Sequence, residues 1–230
     1  MTFREILADL ASFLRKPVPL RPAGLRAPGA GQLLLRLTML EIGVLGTVVM
    51  LFVKAWQAAF NLPEPDAFDG MSPLALWGGA VVLAPVLEEL VFRGWLVGRR
   101  GPLWAMAAAL AGMAAFVLFG KGHPVVGGLI LLVTAIALAA VLWRLRGRDD
   151  VPGWFSAAFP VLFYAGVLVF AATHLFNYPQ FSLLAIPMIL PQAWSGLMFA
   201  YARLRIGLFA GIVMHIASNA VMLALALLTH

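Results

Sequence analysis

The 230-residue chain is 63% hydrophobic and 11% charged, whereas a soluble domain carries roughly 25% charged residues. Its mean hydropathy is +0.96, and its apolar residues come in runs close to the ~20 that a helix needs to cross the hydrocarbon of a bilayer, which excludes a water-soluble fold. The net charge of +6 sits beside the apolar runs and reads as membrane topology, not as a nucleic-acid surface, and the absence of cysteine excludes disulfides, thiolate metal sites and a cysteine nucleophile.

The first residues mix Arg4, Glu5, Asp9 and Arg15 with Phe3, Ile6, Leu7, Leu10 and Leu14 at helical spacing. That pattern predicts a short amphipathic helix on the membrane surface within a cytoplasmic segment 1–32, not a cleaved signal peptide. A transmembrane bundle is predicted over 33–230. Its spans are expected at Leu33–Trp56, Ser72–Val97, Pro102–Gly120, Val125–Trp143, Phe155–Tyr178, Phe181–Tyr201 and Gly207–Leu228. The third and fourth are joined by the polar turn Lys121-Gly122-His123-Pro124. The expected fold is therefore all-α, a polytopic membrane bundle of about seven helices.

Basic residues alternate with the spans. Arg15, Lys16, Arg21 and Arg26 precede the first, Arg99 and Arg100 follow the second, Arg144, Arg146 and Arg148 follow the fourth, and Arg203 and Arg205 follow the sixth. The opposite loops hold Glu64, Asp66 and Asp69, then Lys121, which alone breaks the alternation, then an uncharged stretch. The positive-inside rule thus predicts a cytoplasmic N-terminus and an external C-terminus. Most tryptophans fall near span ends and read as interface anchors.

Ionisable groups inside a span cost roughly 2.5–3.5 kcal/mol each on insertion scales and are functional candidates for that reason. The second span carries Glu88, Glu89 and Arg93, the fifth ends on His174 and Asn177, and the seventh carries His215 and Asn219. Glu89 and Arg93 are four apart and can pair, while Glu88 points about 100° away and stays free for chemistry. Glu41 of the first span is expected to pair with Arg93, Arg36 or a polar partner, and the terminal His230 has no context. A carboxylate and a histidine can hold and deprotonate a water, and a second histidine with an asparagine can donate to the oxyanion formed when that water attacks a carbonyl.

Glu88-Glu89-x-x-x-Arg93, Phe170-x-x-x-His174 and His215-x-x-x-Asn219 resemble the three motifs of the CAAX-protease and bacteriocin-processing family, the type II CAAX prenyl endopeptidases or glutamic-type intramembrane proteases. Pro191-Gln192, Gly196 and Tyr201-x-Arg-x-Arg-x-Gly207 add to the likeness, which spans about Leu83 to Ala220. The resemblance implies that Glu88 activates the water with help from His174, that His215 and Asn219 form the oxyanion site, and that Glu89 and Arg93 support them. It implies a catalytic core over about 72–228, in a multi-pass protein of an inner membrane, bacterial by composition, whose partners are the bilayer and a membrane-delivered peptide, with no nucleic acid.

Family members carry the second motif on the helix directly after the first. Here an extra helical hairpin, about 102–143, intervenes, and Phe119-x-x-x-His123 becomes a rival second motif. His174 is preferred, because His123 sits in an outside turn and lacks the following asparagine. Helix rise places Glu88 about 18 Å from Arg100 and His215 about 15 Å from Arg205; a fifth helix starting at Pro160 puts His174 about 21 Å deep, at the same level, and one starting at Val151 puts it too far out for the site to assemble. The cavity is expected to open to the cytoplasm. The alternatives are a non-catalytic immunity or scaffold protein of the same fold and, last, a proton-coupled transporter, for which the inverted repeats and broken helices are missing. No cofactor is expected; zinc is the alternative, and chelator insensitivity separates the two.

Overall fold

The computed structural model describes residues 1–180 and 182–229; Phe181, the predicted start of the sixth span, and His230 lie outside the described residues. Among the described residues the chain is helical, with no strand. After α1, Phe3–Arg15, come helices long and apolar enough to cross a membrane: α2 (Ala30–Phe60), α3 (Ala75–Arg93), α4 (Arg100–Gly120), α5 (Pro124–Arg144), α6 (Gly153–Asn177), α7 (Leu183–Arg205) and α8, which spans Leu208–Leu228 by this criterion and ends at Thr229. The predicted spans thus match the helices to within a few residues at most ends. The chain divides into two compact units, Met1–Arg93 with Phe159–His230, and Gly94–Ala158.

In the first unit, α1 starts with a capping box in which the Thr2 hydroxyl and Glu5 carboxylate satisfy each other's backbone N–H groups. Its apolar stripe is shared, with Phe3 and Leu7 exposed and the rest turned to the protein. Ile6, Leu10 and Phe13 are buried in the protein, and the Phe13 ring meets Phe163 edge-on at 5.2 Å and Tyr201 at 5.5 Å. Polar contacts fasten the same helix to α6 and α7: the Tyr201 hydroxyl donates to Asp9, Arg205 pairs with Asp9 at 2.5 Å, and the Tyr164 hydroxyl donates to the Leu14 carbonyl. The strap that follows is pinned by Ala23 N–H to the Arg205 carbonyl and Gly24 N–H to the Ile206 carbonyl. The charge-assisted bonds to Asp9 are directional and fix how α1 docks.

At the opposite end of this unit the Trp56 indole donates to the Leu184 carbonyl, and Asp66 N–H donates to the Asn177 carbonyl. The α6 helix begins at Gly153, near the start that seemed to defeat the site, and buries Phe155, Phe159 and Phe163 before reaching His174. It then tightens into a 3-10 turn, His174–Asn177.

α3 has its own irregularity. Residues Ala75–Leu83 form a π-helix, in which the Ala84 N–H reaches back to the Gly79 carbonyl. In that register the carbonyl of Ala80 would be met by the N–H of residue 85, which is proline and has none.

In the second unit, α4 and α5 form a hairpin joined through Lys121 and Gly122. Its packing rests on small residues: a Cβ on Gly112 would lie 2.2 Å from the Thr134 hydroxyl oxygen, and one on Gly120 would lie 3.0 Å from Gly127 Cα. Close backbone approach at glycine is how helices associate where lipid offers no hydrophobic drive.

Candidate active site

Glu89 and Arg93 pair as their spacing predicts, with Arg93 Nη1 2.8 Å from Glu89 Oε1 and both side chains buried. The guanidinium carbon lies 3.9 Å from the centre of the Phe170 ring, and Nη2 donates weakly to the Gly196 carbonyl at 3.4 Å. Arg203 Nε donates to the Arg93 carbonyl at 3.0 Å, which ties α3 to α7 just beyond the pair. Two glycines make room for this core. A Cβ on Gly196 would fall 2.7 Å from Phe170, and one on Gly211 would fall 2.9 Å from Glu89 Oε2.

His215 joins the cluster from α8. Its Nδ1 lies 3.1 Å from Glu89 Oε1 and its Nε2 lies 3.7 Å from Glu88 Oε2. Because a carboxylate only accepts, Nδ1 carries a proton and donates to Glu89. Stacking of the ring on Phe199, with centroids 4.4 Å apart and planes 26° apart, fixes its orientation. His215 therefore stands between the two glutamates and turns its second nitrogen toward Glu88.

Glu88 is the member that faces open space. It is 30% exposed, its Oε2 has no hydrogen-bond partner, and it lines a cavity of about 920 Å³ together with Phe170, His174, Phe199, His215 and Asn219. His174 is oriented by its Nδ1, 2.9 Å from the Phe170 carbonyl. A carbonyl can only accept, so that nitrogen bears the proton and Nε2 keeps a free lone pair. No direct hydrogen bond or ion pair joins His174 to Glu88. The Phe170 ring touches both imidazoles, at 4.8 Å from His174 and 6.0 Å from His215.

Asn219 also lines the cavity, but its Nδ2 donates to the Ala80 carbonyl at 3.1 Å. This is the acceptor that the π-register and Pro85 together leave without a backbone donor. One amide proton of Asn219 is thus committed to α3, leaving one N–H and the carbonyl oxygen for anything in the cavity.

Glu41 takes polar partners and not an arginine. It is fully buried, and its Oε1 accepts from Ser195 at 2.6 Å and Ser218 at 3.1 Å. His123 lies in the other unit, exposed, in the turn before α5. All of the cavity's lining belongs to the first unit. Among the described residues no three His, Cys, Asp or Glu side chains are arranged to hold a metal ion.

The cavity lies on one side of the glutamate–histidine level. Its walls carry Lys54, Gln57, Glu64, Met71 and Tyr178 at the end remote from Arg93 and Arg203, and on α3 no residue beyond Glu88 lines it. The reason is the seal already described: α1, Tyr201 and the buried arginines fill that end. Sequence reading also missed Gly211, whose signal is its position four residues before His215, on the same helical face.

Buried ionic and imidazole groups within spanning helices define a polytopic membrane protein with a polar interior site. Residues 70–155 match the family model for Rce1-like type II CAAX prenyl endopeptidases, in agreement with the family that the three motifs resemble. The matched stretch contains Glu88, Glu89, Arg93 and His123 and ends before His174. No curated protein and no solved structure matches the chain.

Proposed function

We propose that the protein is an intramembrane endopeptidase that hydrolyses a peptide bond of a membrane-delivered substrate. The observation that carries this reading is the Glu88 carboxylate, 30% exposed at the floor of a cavity that two oriented imidazoles, His174 and His215, also line. A water held by Glu88 and by the free Nε2 of His174 gives up a proton to Glu88 as its oxygen attacks the scissile carbonyl carbon. The resulting oxyanion receives hydrogen bonds from His215 Nε2, carrying a proton in the imidazolium form, and from the uncommitted N–H of Asn219. As the C–N bond breaks, Glu88 passes its proton to the departing amine, leaving a carboxyl product and a restored base.

Glu89 and Arg93 support this cycle without touching substrate. Glu89 holds His215 in orientation, and Arg93 balances its charge in a site with little water. The reading needs no metal, and the catalytic core is drawn over 72–228, with the hairpin 102–143 as an addition to it. The positive-inside rule puts the N-terminus in the cytoplasm, and the cysteine-free, Ala/Leu/Arg-rich composition fits a bacterial inner membrane. Replacing Glu88 by Gln keeps the shape and removes the base. A purified E88Q variant with unchanged thermal stability is expected to lose cleavage by roughly 10²–10⁴-fold, the range for a positioned general base. Undiminished cleavage by such a variant ends the hydrolase reading.

A further inference from the structure

The cavity is one-sided in a way that assigns an entrance. α3 and α8 run in opposite directions, yet on both the lining residues fall on the same side of the glutamate–histidine level. On α3 they begin at Ala75 and stop at Glu88, and on α8 they begin at His215 and stop at Ala226. At ~1.5 Å per residue the well is about 16–20 Å deep. On the other side of that level Arg93 is 2% exposed, Tyr201 1%, Leu204 0% and Ile206 1%, and α1 is fastened across them through Asp9. At the arginine-rich end of this unit these side chains are packed in the protein and no lining residue of α3 or α8 lies among them.

We propose that substrate and water reach Glu88 from the end opposite the arginines, which by the positive-inside rule is the extracytoplasmic face. This rests on Glu88 being the water-activating base. The bond cut then belongs to a peptide segment presented on that face or in that leaflet, not to a chain end delivered from the cytoplasm. The walls also describe the segment. They are mostly apolar, and the cation Lys54 is paired with Glu64 at 3.0 Å, so an uncharged segment is favoured. Gln192, Ser195 and Phe199 form one stripe along α7, and the Gln192 Oε1 is buried with no partner. That oxygen is suited to accept a backbone N–H. The seven steps from Gln192 to Phe199 correspond to roughly 10 Å along the helix, a distance that about three residues of extended peptide cover.

The chain's lack of cysteine makes the test direct. Met222→Cys and Leu223→Cys place thiols in the well, and Asp69→Cys and Lys16→Cys mark its two ends. A charged, membrane-impermeant maleimide is applied to one side of sealed vesicles at a time. The well thiols are expected to react from the side that labels Asp69→Cys and to stay unreacted from the side that labels Lys16→Cys. Labelling from the Lys16 side, no labelling of the well while Asp69→Cys reacts, or both markers reacting from one side would each overturn the proposal. In a cleavage assay Gln192→Leu is expected to raise KM about tenfold with kcat within about threefold; an unchanged KM removes the backbone contact. Labelling does not depend on catalysis, so cleavage surviving in E88Q would defeat the hydrolase reading and leave the entrance result standing.

Discussion

Among the described spanning helices of this protein, the most hydropathic is one of the least buried, and the least hydropathic is the most buried. α5 has a mean hydropathy of 2.8 with 6% of its window in the interior, whereas α7 has 1.5 with 44%. In water the order would be reversed. In a bilayer, lipid solvates leucine and valine as well as a protein core does, so the interior goes to residues that lipid serves badly: small, polar and aromatic ones. The unit Gly94–Ala158 follows this rule in its simplest form, with a glycine seam between α4 and α5. The other unit adds ionised groups, held by the aromatic faces of Phe170 and Phe199. The difference teaches where function can be looked for, because only the second kind of interior holds groups that exchange protons.

The sharpest way to break that contrast is to take the ions out. Arg93→Ala leaves Glu89 buried without the guanidinium it pairs with, and losing one partner of a buried pair costs about 3–5 kcal/mol. The variant is expected to unfold in detergent at temperatures where the native protein is intact, measured by the loss of helical circular dichroism. A native-like melting curve would mean that the Glu89–Arg93 pair is incidental to the fold. Next in size is His174→Ala, expected to lower kcat about 10²-fold with stability unchanged. Wild-type turnover in that variant would remove His174 from the water.

A smaller effect tests how the π-segment of α3 is closed. Asn219→Ala leaves the Ala80 carbonyl without its donor and is expected to cost about 1 kcal/mol of stability. Pro85→Ala supplies a backbone N–H at the missing position. In that background the Asn219→Ala loss should shrink by most of its value, since the two sites then share one acceptor. Equal losses in both backgrounds would mean that Asn219 does not act by capping Ala80.

The sequence reaches unevenly into this structure. The spans are legible because length and hydropathy are one-dimensional properties, and Glu89–Arg93 is legible because both partners sit on one helix. His174 stands at the cavity although α6 starts near the position that seemed to exclude it; helix start fixes depth only if helices begin at the membrane edge, and α6 carries buried phenylalanines, Phe155 and Phe159, through its first turns. The bond from Asn219 to Ala80 depends on a change of helical register, which no residue pattern announces. His215 between two glutamates and the docking of α1 on Tyr201 both join segments distant along the chain. Which end of the unit the cavity occupies depends on such long-range contacts, and no residue pattern carries it.

The smallest expected effects are those in the glycine seam, and they bear on the comparison most directly. Gly127→Leu drives a side chain against the Gly120 carbonyl, which a Cβ would already approach at 3.2 Å. Overpacking of this kind costs about 1–3 kcal/mol. If the chemistry belongs to the other unit, this cost appears as a lower melting temperature while cleavage at moderate temperature stays within about threefold of wild type, an effect well below one kcal/mol on the barrier. His123→Ala, an exposed change in the same hairpin, should alter stability by no more than about 0.5 kcal/mol and leave cleavage within the same range. The pair separates packing from chemistry. A loss of cleavage in Gly127→Leu alone would mean that the hairpin's geometry is felt at Glu88, and a loss in His123→Ala with its stability intact would move the second imidazole of the site from His174 to the hairpin.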